Sequence, residues 1–154
     1  MSRTDGTLAT VAPLARWEVA DLVTTWFRRL TDKASTPQML AMLDPAGSTL
    51  VFPEGTFTDE GGFRTWYGAV TSRFFDQVHE LRTLDVECRA DGAEVRLTVD
   101  WQARTWQPPA ANSEWTGATA RQHWSVRRAD DRPVIAAYRV LALEPMTGGL
   151  RRLP

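Results

Sequence analysis

The longest regular pattern of apolar and polar positions runs from Gly92 to Val126 and predicts two long strands. From Glu94 to Trp106 the residues alternate. Val95, Leu97, Val99, Trp101 and Ala103 share one face, and Glu94, Arg96, Thr98, Asp100, Gln102 and Arg104 share the other. A period of two marks a half-buried strand. From Trp115 to Arg128 the same alternation groups Ala118, Ala120, Gln122, Trp124 and Val126 against Thr119, Arg121, His123, Ser125 and Arg127. Gln107–Glu114 reads as the connecting loop. Four of the seven tryptophans (Trp101, Trp106, Trp115 and Trp124) fall on this hairpin. A face that mixes large aromatics, alanines and one amide is either a plain core or a pocket wall.

Before the hairpin the period is helical. Val19, Leu22, Val23, Trp26, Phe27 and Leu30 recur at helix spacing over Arg16–Leu30, and Arg28 and Arg29 fall in the last turn, where the helix dipole favours cations. A short second helix starts at Thr36 as cap with Pro37 first inside, carries Met39, Leu40, Met42 and Leu43, and stops at Asp44-Pro45. Ser48–Phe52 is a short strand ended by Pro53-Glu54-Gly55. Thr58 or Asp59 then caps a third helix bearing Phe63, Trp66, Tyr67, Val70 and Phe74. Gln77–Cys88 reads as a strand, followed by the turn signal Arg89-Ala90-Asp91-Gly92. After the hairpin, Asp130–Pro133 marks a turn and Val134–Leu143 a last strand. Its two faces, Val134, Ala136, Tyr138, Val140 and Ala142 against Ile135, Ala137, Arg139, Leu141 and Leu143, are both mostly apolar, which predicts a strand that is central or covered on both sides.

Helices first and a run of long antiparallel strands after them predict an α+β fold: three N-terminal helices packed in a strongly curved, mostly antiparallel sheet. The expected organisation is a tail over 1–14, one domain over 15–145 and a second tail over 146–154. With 154 residues the chain suits one domain, and its hydrophobic share of 43% is that of an ordinary globular protein. A net charge of −1 gives no electrostatic footprint for nucleic acid, and no apolar run reaches the roughly 20 residues of a membrane helix. The lone cysteine, Cys88, has no internal partner, and its alternation with Leu84 and Val86 predicts a buried, inert thiol in a reducing, cytoplasmic setting. Two distant histidines and no Cys-x-x-Cys or His-x-x-His spacing argue against a metal, and no phosphate loop or other cofactor motif is found.

The element order, with Val51-Phe52-Pro53-Glu54-Gly55 followed by a helix carrying Phe63-Arg64-Thr65-Trp66-Tyr67, resembles the nuclear transport factor 2-like superfamily, and within it the small SnoaL-like polyketide-cyclase proteins. The resemblance spans roughly residues 15 to 145. It implies a cone whose interior holds a small ligand. It also implies a homodimer through the convex sheet face, with Arg96, Asp100, Gln102, Arg121, His123 and Arg139 at the contact. Steroid isomerases of this superfamily place a general-base aspartate before the proline of an Asp-Pro-x-Gly motif. The matching stretch here is Phe52-Pro53-Glu54-Gly55, so Phe52 stands at the base position and cannot serve. Cyclases of the SnoaL type use an aspartate and a histidine on the sheet, and no inward pair of that kind can be placed here.

Three polar residues remain as candidates for chemistry. Glu54 follows the first strand and is either an inward acid/base group or a solvated loop residue. A carboxyl group in apolar surroundings holds its proton more tightly, which suits proton transfer near neutral pH. His79 opens the strand after the third helix, where it is either an acid/base group or a packed strand-end residue. Gln122 is the one polar side chain on its face, and a buried amide needs partners: Tyr138, a water or a ligand carbonyl. Trp26, Trp66, Tyr67, Trp101, Trp124 and Tyr138 would wall a pocket for a ring-shaped apolar ligand, or simply fill a core. The expected function is cofactor-free acid/base chemistry on an apolar polyketide-like or polycyclic molecule. The alternative is a non-catalytic small-ligand-binding or dimerisation module of the same fold.

Overall fold

The computed structural model describes residues 12–146. Its elements are α1 (Arg16–Thr31), α2 (Thr36–Leu40), β1 (Thr49–Phe52), β2 (Gly55–Phe57), α3 (Glu60–Arg73), β3 (Phe75–Arg89), β4 (Gly92–Thr105), β5 (Glu114–Ala129) and β6 (Arg132–Pro145). The strands form one sheet in the order β2-β1-β6-β5-β4-β3. β1 runs parallel to β6, and every other neighbouring pair is antiparallel. The helices cover one face, and the core between layers is built from α1, from Phe63 and Tyr67 of α3, and from inward residues of β3–β6. This is the expected α+β architecture, with β6 in the sheet interior as its two apolar faces predicted. β2 was not legible: three residues are too few to show a period, and the expected stop at Pro53-Glu54 is the bend of a β1–β2 hairpin.

Local chemistry fixes the helix ends. α1 buries Val19, Leu22, Val23, Trp26, Phe27 and Leu30, the expected stripe. The Glu18 carboxylate accepts the Ala15 N–H at 3.0 Å and holds Arg128 at 2.8 Å, so two stabilising contacts keep its proton affinity below the ordinary carboxylate value. The cap of α2 is Ser35, one residue before the expected Thr36. Gln38 Oε1 accepts the Ser35 N–H at 3.0 Å while Ser35 Oγ accepts the Gln38 N–H at 3.4 Å. α2 also ends earlier than expected, at Leu40. Met42 and Leu43 are buried in the turn that follows, where the Met42 carbonyl accepts from Ile135. Asp59 caps α3 by accepting the Gly62 N–H at 2.7 Å. Gly62 packs tightly there, as a Cβ would stand 3.0 Å from the Phe57 ring.

Bulges change the faces of two strands. Gln122 pairs with Val140 while Arg121 pairs with Ala142, so Leu141 is the extra residue. In the same way Val126 pairs with Ile135 and Ser125 with Ala137, leaving Ala136 over. Strict alternation would put Ile135 and Leu143 opposite Tyr138. The two bulges instead bring both to the helix-facing side, as each extra residue shifts parity by one. β3 has its own irregularity at Arg82, which turns that side chain onto the convex face.

There Arg82 meets Asp100 at 3.4 Å, and Thr119 donates to Asp100 at 2.6 Å. Arg96 and Arg104, on the same face, do not pair with Asp100, and Arg104 instead holds Ser113 at 2.7 Å. His123 faces outward as expected and meets Glu94 at 2.8 Å. Cys88 keeps the parity of Leu84 and Val86 but is exposed, which corrects the expectation of a buried thiol. It lies near the end of the edge strand β3, where no neighbouring strand closes over it.

An ion pair ties the turn after α2 to β5. Asp44 is only 7% exposed and accepts from Arg127 and from the Ala46 N–H. Arg127 and that backbone bond pull the Asp44 carboxyl below its ordinary proton affinity, against the opposing effect of burial. The expected tails lie largely outside the described residues. Of their described part, Leu14 is buried and the Ala12 carbonyl accepts from Arg128 at 2.9 Å.

Candidate active site

The helices and the concave sheet face enclose a cavity of about 550 Å³. Its apolar lining comes from Leu30 of α1, Val70 of α3, Val99 and Trp101 of β4, Ala120 of β5 and Val140 and Leu143 of β6. Of the residues singled out from the sequence, Glu54, His79, Gln122, Trp66, Tyr67, Trp101 and Tyr138 all reach this lining. Trp26 and Trp124 do not. Both are fully buried behind it, Trp124 against Tyr138 with ring centroids 4.7 Å apart, and Trp26 wedged between Phe63 and Tyr138.

Glu54 sits at the rim. Its side chain is exposed, and its Oε1 accepts the Trp66 indole N–H at 3.0 Å. Trp66 in turn stacks on Phe52 with centroids 3.8 Å apart and planes 14° from parallel, so the carboxylate is positioned by a rigid aromatic pair. The apolar enclosure expected around Glu54 is absent, because the β1–β2 bend carries it outward. Tyr67 contributes only its ring to the cavity, as its hydroxyl donates to the Ala34 carbonyl at 2.6 Å.

His79 enters β3 beside Trp101 of β4 and stacks on Phe27 of α1, centroids 5.9 Å apart. Thr31, in the last turn of α1, fixes it twice. The Thr31 hydroxyl oxygen accepts the His79 backbone N–H at 2.9 Å and lies 3.2 Å from Nδ1. The same oxygen keeps one lone pair and its own proton for Nδ1, so Thr31 anchors the ring in either neutral tautomer. Burial pushes the imidazole down from 6.5 to about 4, so it is uncharged at neutral pH.

Gln122, 5% exposed, accepts the Trp124 indole N–H on Oε1 at 2.9 Å, a bond between residues two apart on one strand face. The Trp26 indole N–H is buried without a hydrogen-bond partner. Tyr138 is 4% exposed, and burial drives its phenol well above the ordinary value, with Trp26 and Gln122 beside it offsetting this only in part.

Sequence reasoning missed four contributors. Thr31 lies just past the expected end of the first helix at Leu30, and its partner lies 48 positions away. Gln77, whose amide oxygen accepts the Trp101 indole N–H at 2.9 Å, lies before the alternation of β3 becomes regular. Phe74 packs edge-on against Trp101 at 4.9 Å. Arg73, the last residue of α3, is the lining's one Lys or Arg side chain. Among the described residues no group of three or more His, Cys, Asp or Glu could hold a metal ion. No helix there is long and apolar enough to cross a membrane.

The sheet and the three helices surround an inner cavity. The chain belongs to the SnoaL-like domain family, whose profile matches residues 12–139. No curated protein matches it in sequence. In structure it is similar to a hexachlorocyclohexane dehydrochlorinase (LinA) type 2, at 13% identity and a TM-score of 0.70 over 86% of this chain and 89% of that one. It is similar also to a candidate dehydratase of the NTF2-like family from Streptomyces avermitilis (17% identity, TM-score 0.69, 82% of this chain and 96% of that one). A protein of unknown function with a cystatin-like fold from Nostoc punctiforme matches at 13% identity and a TM-score of 0.65, over 86% and 92% of the two chains. At these identities the likeness is one of fold.

Proposed function

We propose that this chain is a small-molecule enzyme that moves protons, without a cofactor, on an apolar polyketide-like or polycyclic substrate, by cyclisation, isomerisation or dehydration. Glu54, His79 and Gln122 carry the chemistry, with Tyr138 assisting. Trp66, Tyr67 and Trp101 shape the walls, and Trp26 and Trp124 support them from behind. The observation that carries the reading is His79, a neutral imidazole held by Thr31 on the wall of an apolar cavity. Such a ring can take up a proton transiently and return it without a permanent charge in the cavity, while the Glu54 carboxylate at the rim can take one. Membership of the SnoaL-like family supports the same class of activity.

The test needs no natural substrate. Small apolar carbon acids (ketones, nitro compounds and sulfones) are incubated with the protein in deuterated water, and C–H exchange is followed by NMR. Exchange above buffer that is lost in Glu54→Gln and His79→Gln supports the enzyme. Binding of these compounds with no exchange would make the chain a binding module, a reading favoured by the exposure of Glu54 and its bond to Trp66. We also infer a homodimer through the convex face. Arg96 and Arg121 are exposed there, and Leu141 is 54% exposed beside them.

A further inference from the structure

We propose that the ligand of this cavity is an apolar ring system bearing a single carboxylate, and that Arg73 at the mouth selects that charge. The assignment rests on the cavity being a small-molecule site and names the class of molecule it holds.

The lining is sorted by depth. Leu30, Val99, Ala120 and Tyr138 are buried, whereas Glu54, Arg73, Glu114 and Leu143 are exposed and mark the mouth. An ionic group carried to the buried end would lose its water with no counter-ion to replace it. A charged ligand therefore seats its apolar body inside and leaves its charge at the mouth. The one Lys or Arg side chain it meets there is Arg73. α3 lines the cavity with Trp66, Tyr67, Val70, Arg73 and Phe74, which are spaced as a single helix face. Arg73 thus stands on the cavity-facing stripe, at a position where its neighbours along that stripe are aromatic or aliphatic.

Its guanidinium is held in place and has no counter-ion. The Cζ atom lies 5.1 Å from the centre of the Phe74 ring, Phe74 packs edge-on against Trp101 at 4.9 Å, and the Trp101 indole N–H is tied to Gln77 at 2.9 Å. Among the described residues Arg73 forms no ion pair, whereas Arg64 of the same helix meets Glu60 at 3.6 Å. The dipole of α3 favours a cation in this last turn, which accounts for a positive charge there but not for its place on the cavity face. The two carboxylates of the lining limit what Arg73 can accept. Glu54 accepts the Trp66 N–H, about two helical turns (roughly 10 Å) back along α3 from Arg73. Glu114 opens β5 next to Trp115 and leaves the mouth with two anions against one cation. A planar guanidinium matches one carboxylate through two parallel N–H bonds, while the second charge of a phosphate would be repelled by Glu54 and Glu114.

The test compares four naphthalenes substituted at the same carbon: the carboxylate, the neutral carboxamide, the cationic carboxamidine and the dianionic phosphate ester. Affinities for the full chain at neutral pH and low salt are read from calorimetry and tryptophan fluorescence. The carboxylate should bind about fivefold tighter than the carboxamide, the order of one ion pair at a part-solvated position, and tighter than the amidine and the phosphate. Adding KCl to about 0.5 M should remove most of that preference. Arg73→Gln should bring the carboxylate-to-carboxamide ratio close to one while changing carboxamide affinity less than about twofold. If that variant does not fold, the wild-type order and its salt dependence decide. A carboxylate no tighter than the carboxamide, a tighter amidine or phosphate, or a preference that survives Arg73→Gln overturns the assignment and leaves the small-molecule reading standing. If none of the four probes binds, both fall.

Discussion

Protonation of His79 should be visible as a loss of stability at mildly acid pH. The imidazole titrates at 6.5 when free and at about 4 in the fold, because burial disfavours the charged ring. Between those values the unfolded chain binds a proton that the native protein refuses, so stability falls as pH drops through this window and is fully present above it. A shift from 6.5 to about 4, at about 1.4 kcal/mol per pH unit, caps the loss at about 3 kcal/mol, most of it realised by pH ~4.5. Asp44 and Glu18 have lowered carboxyl titrations, so their stabilisation is lost only as pH falls below the ordinary carboxylate values of 3.8 and 4.5, largely beneath the His79 window. Urea unfolding of wild type and His79→Gln at pH ~7.5 and ~4.5 isolates the effect. Wild type should lose about 2 kcal/mol more than the variant between those conditions. Equal losses would refute the burial of a neutral imidazole at this position.

The other predictions concern the frame and the assembly. Arg127→Met leaves the Asp44 carboxylate, 7% exposed, without its cation, and because Arg127 is itself partly solvated the cost in urea unfolding should be about 2 kcal/mol. A loss under about 0.5 kcal/mol would mean that the Ala46 N–H alone satisfies it. Gly92→Ala puts a Cβ 2.5 Å from the Val126 carbonyl oxygen, a backbone clash that no side-chain rotation relieves. It should lower the thermal midpoint well beyond an exposed Gly→Ala change. Light scattering at high micromolar concentration should give a dimer, and Arg121→Glu together with Leu141→Arg should return it to monomer. A wild-type monomer under those conditions counts against the convex-face contact.

Much of the fold could be read from periodicity alone. The stripe of α1 and the alternation of β4 and β5 are long enough to fix which residues face inward, so the inward placing of Gln122 and Trp124 followed directly. Where the pattern is short or interrupted, that reading stops. β2 has three residues, and the bulges at Ala136, Leu141 and Arg82 reverse parity at points no residue type announces. The cavity was legible as a set of inward aromatics, yet periodicity could not separate Tyr138, which opens on it, from Trp124 and Trp26 just behind. The long-range bonds that set the chemistry were invisible for a simpler reason. Thr31 with His79 and Glu54 with Trp66 are pairings created by packing, between residues whose own segments give no hint of each other.

The account stands most directly on the state of His79 in the wild-type chain. A pH titration of 15N-labelled imidazole shifts reports both charge and tautomer. The structure predicts a neutral ring at pH ~6, titrating near 4. A ring already half-protonated at pH ~6 would contradict the proton-handling role assigned to it.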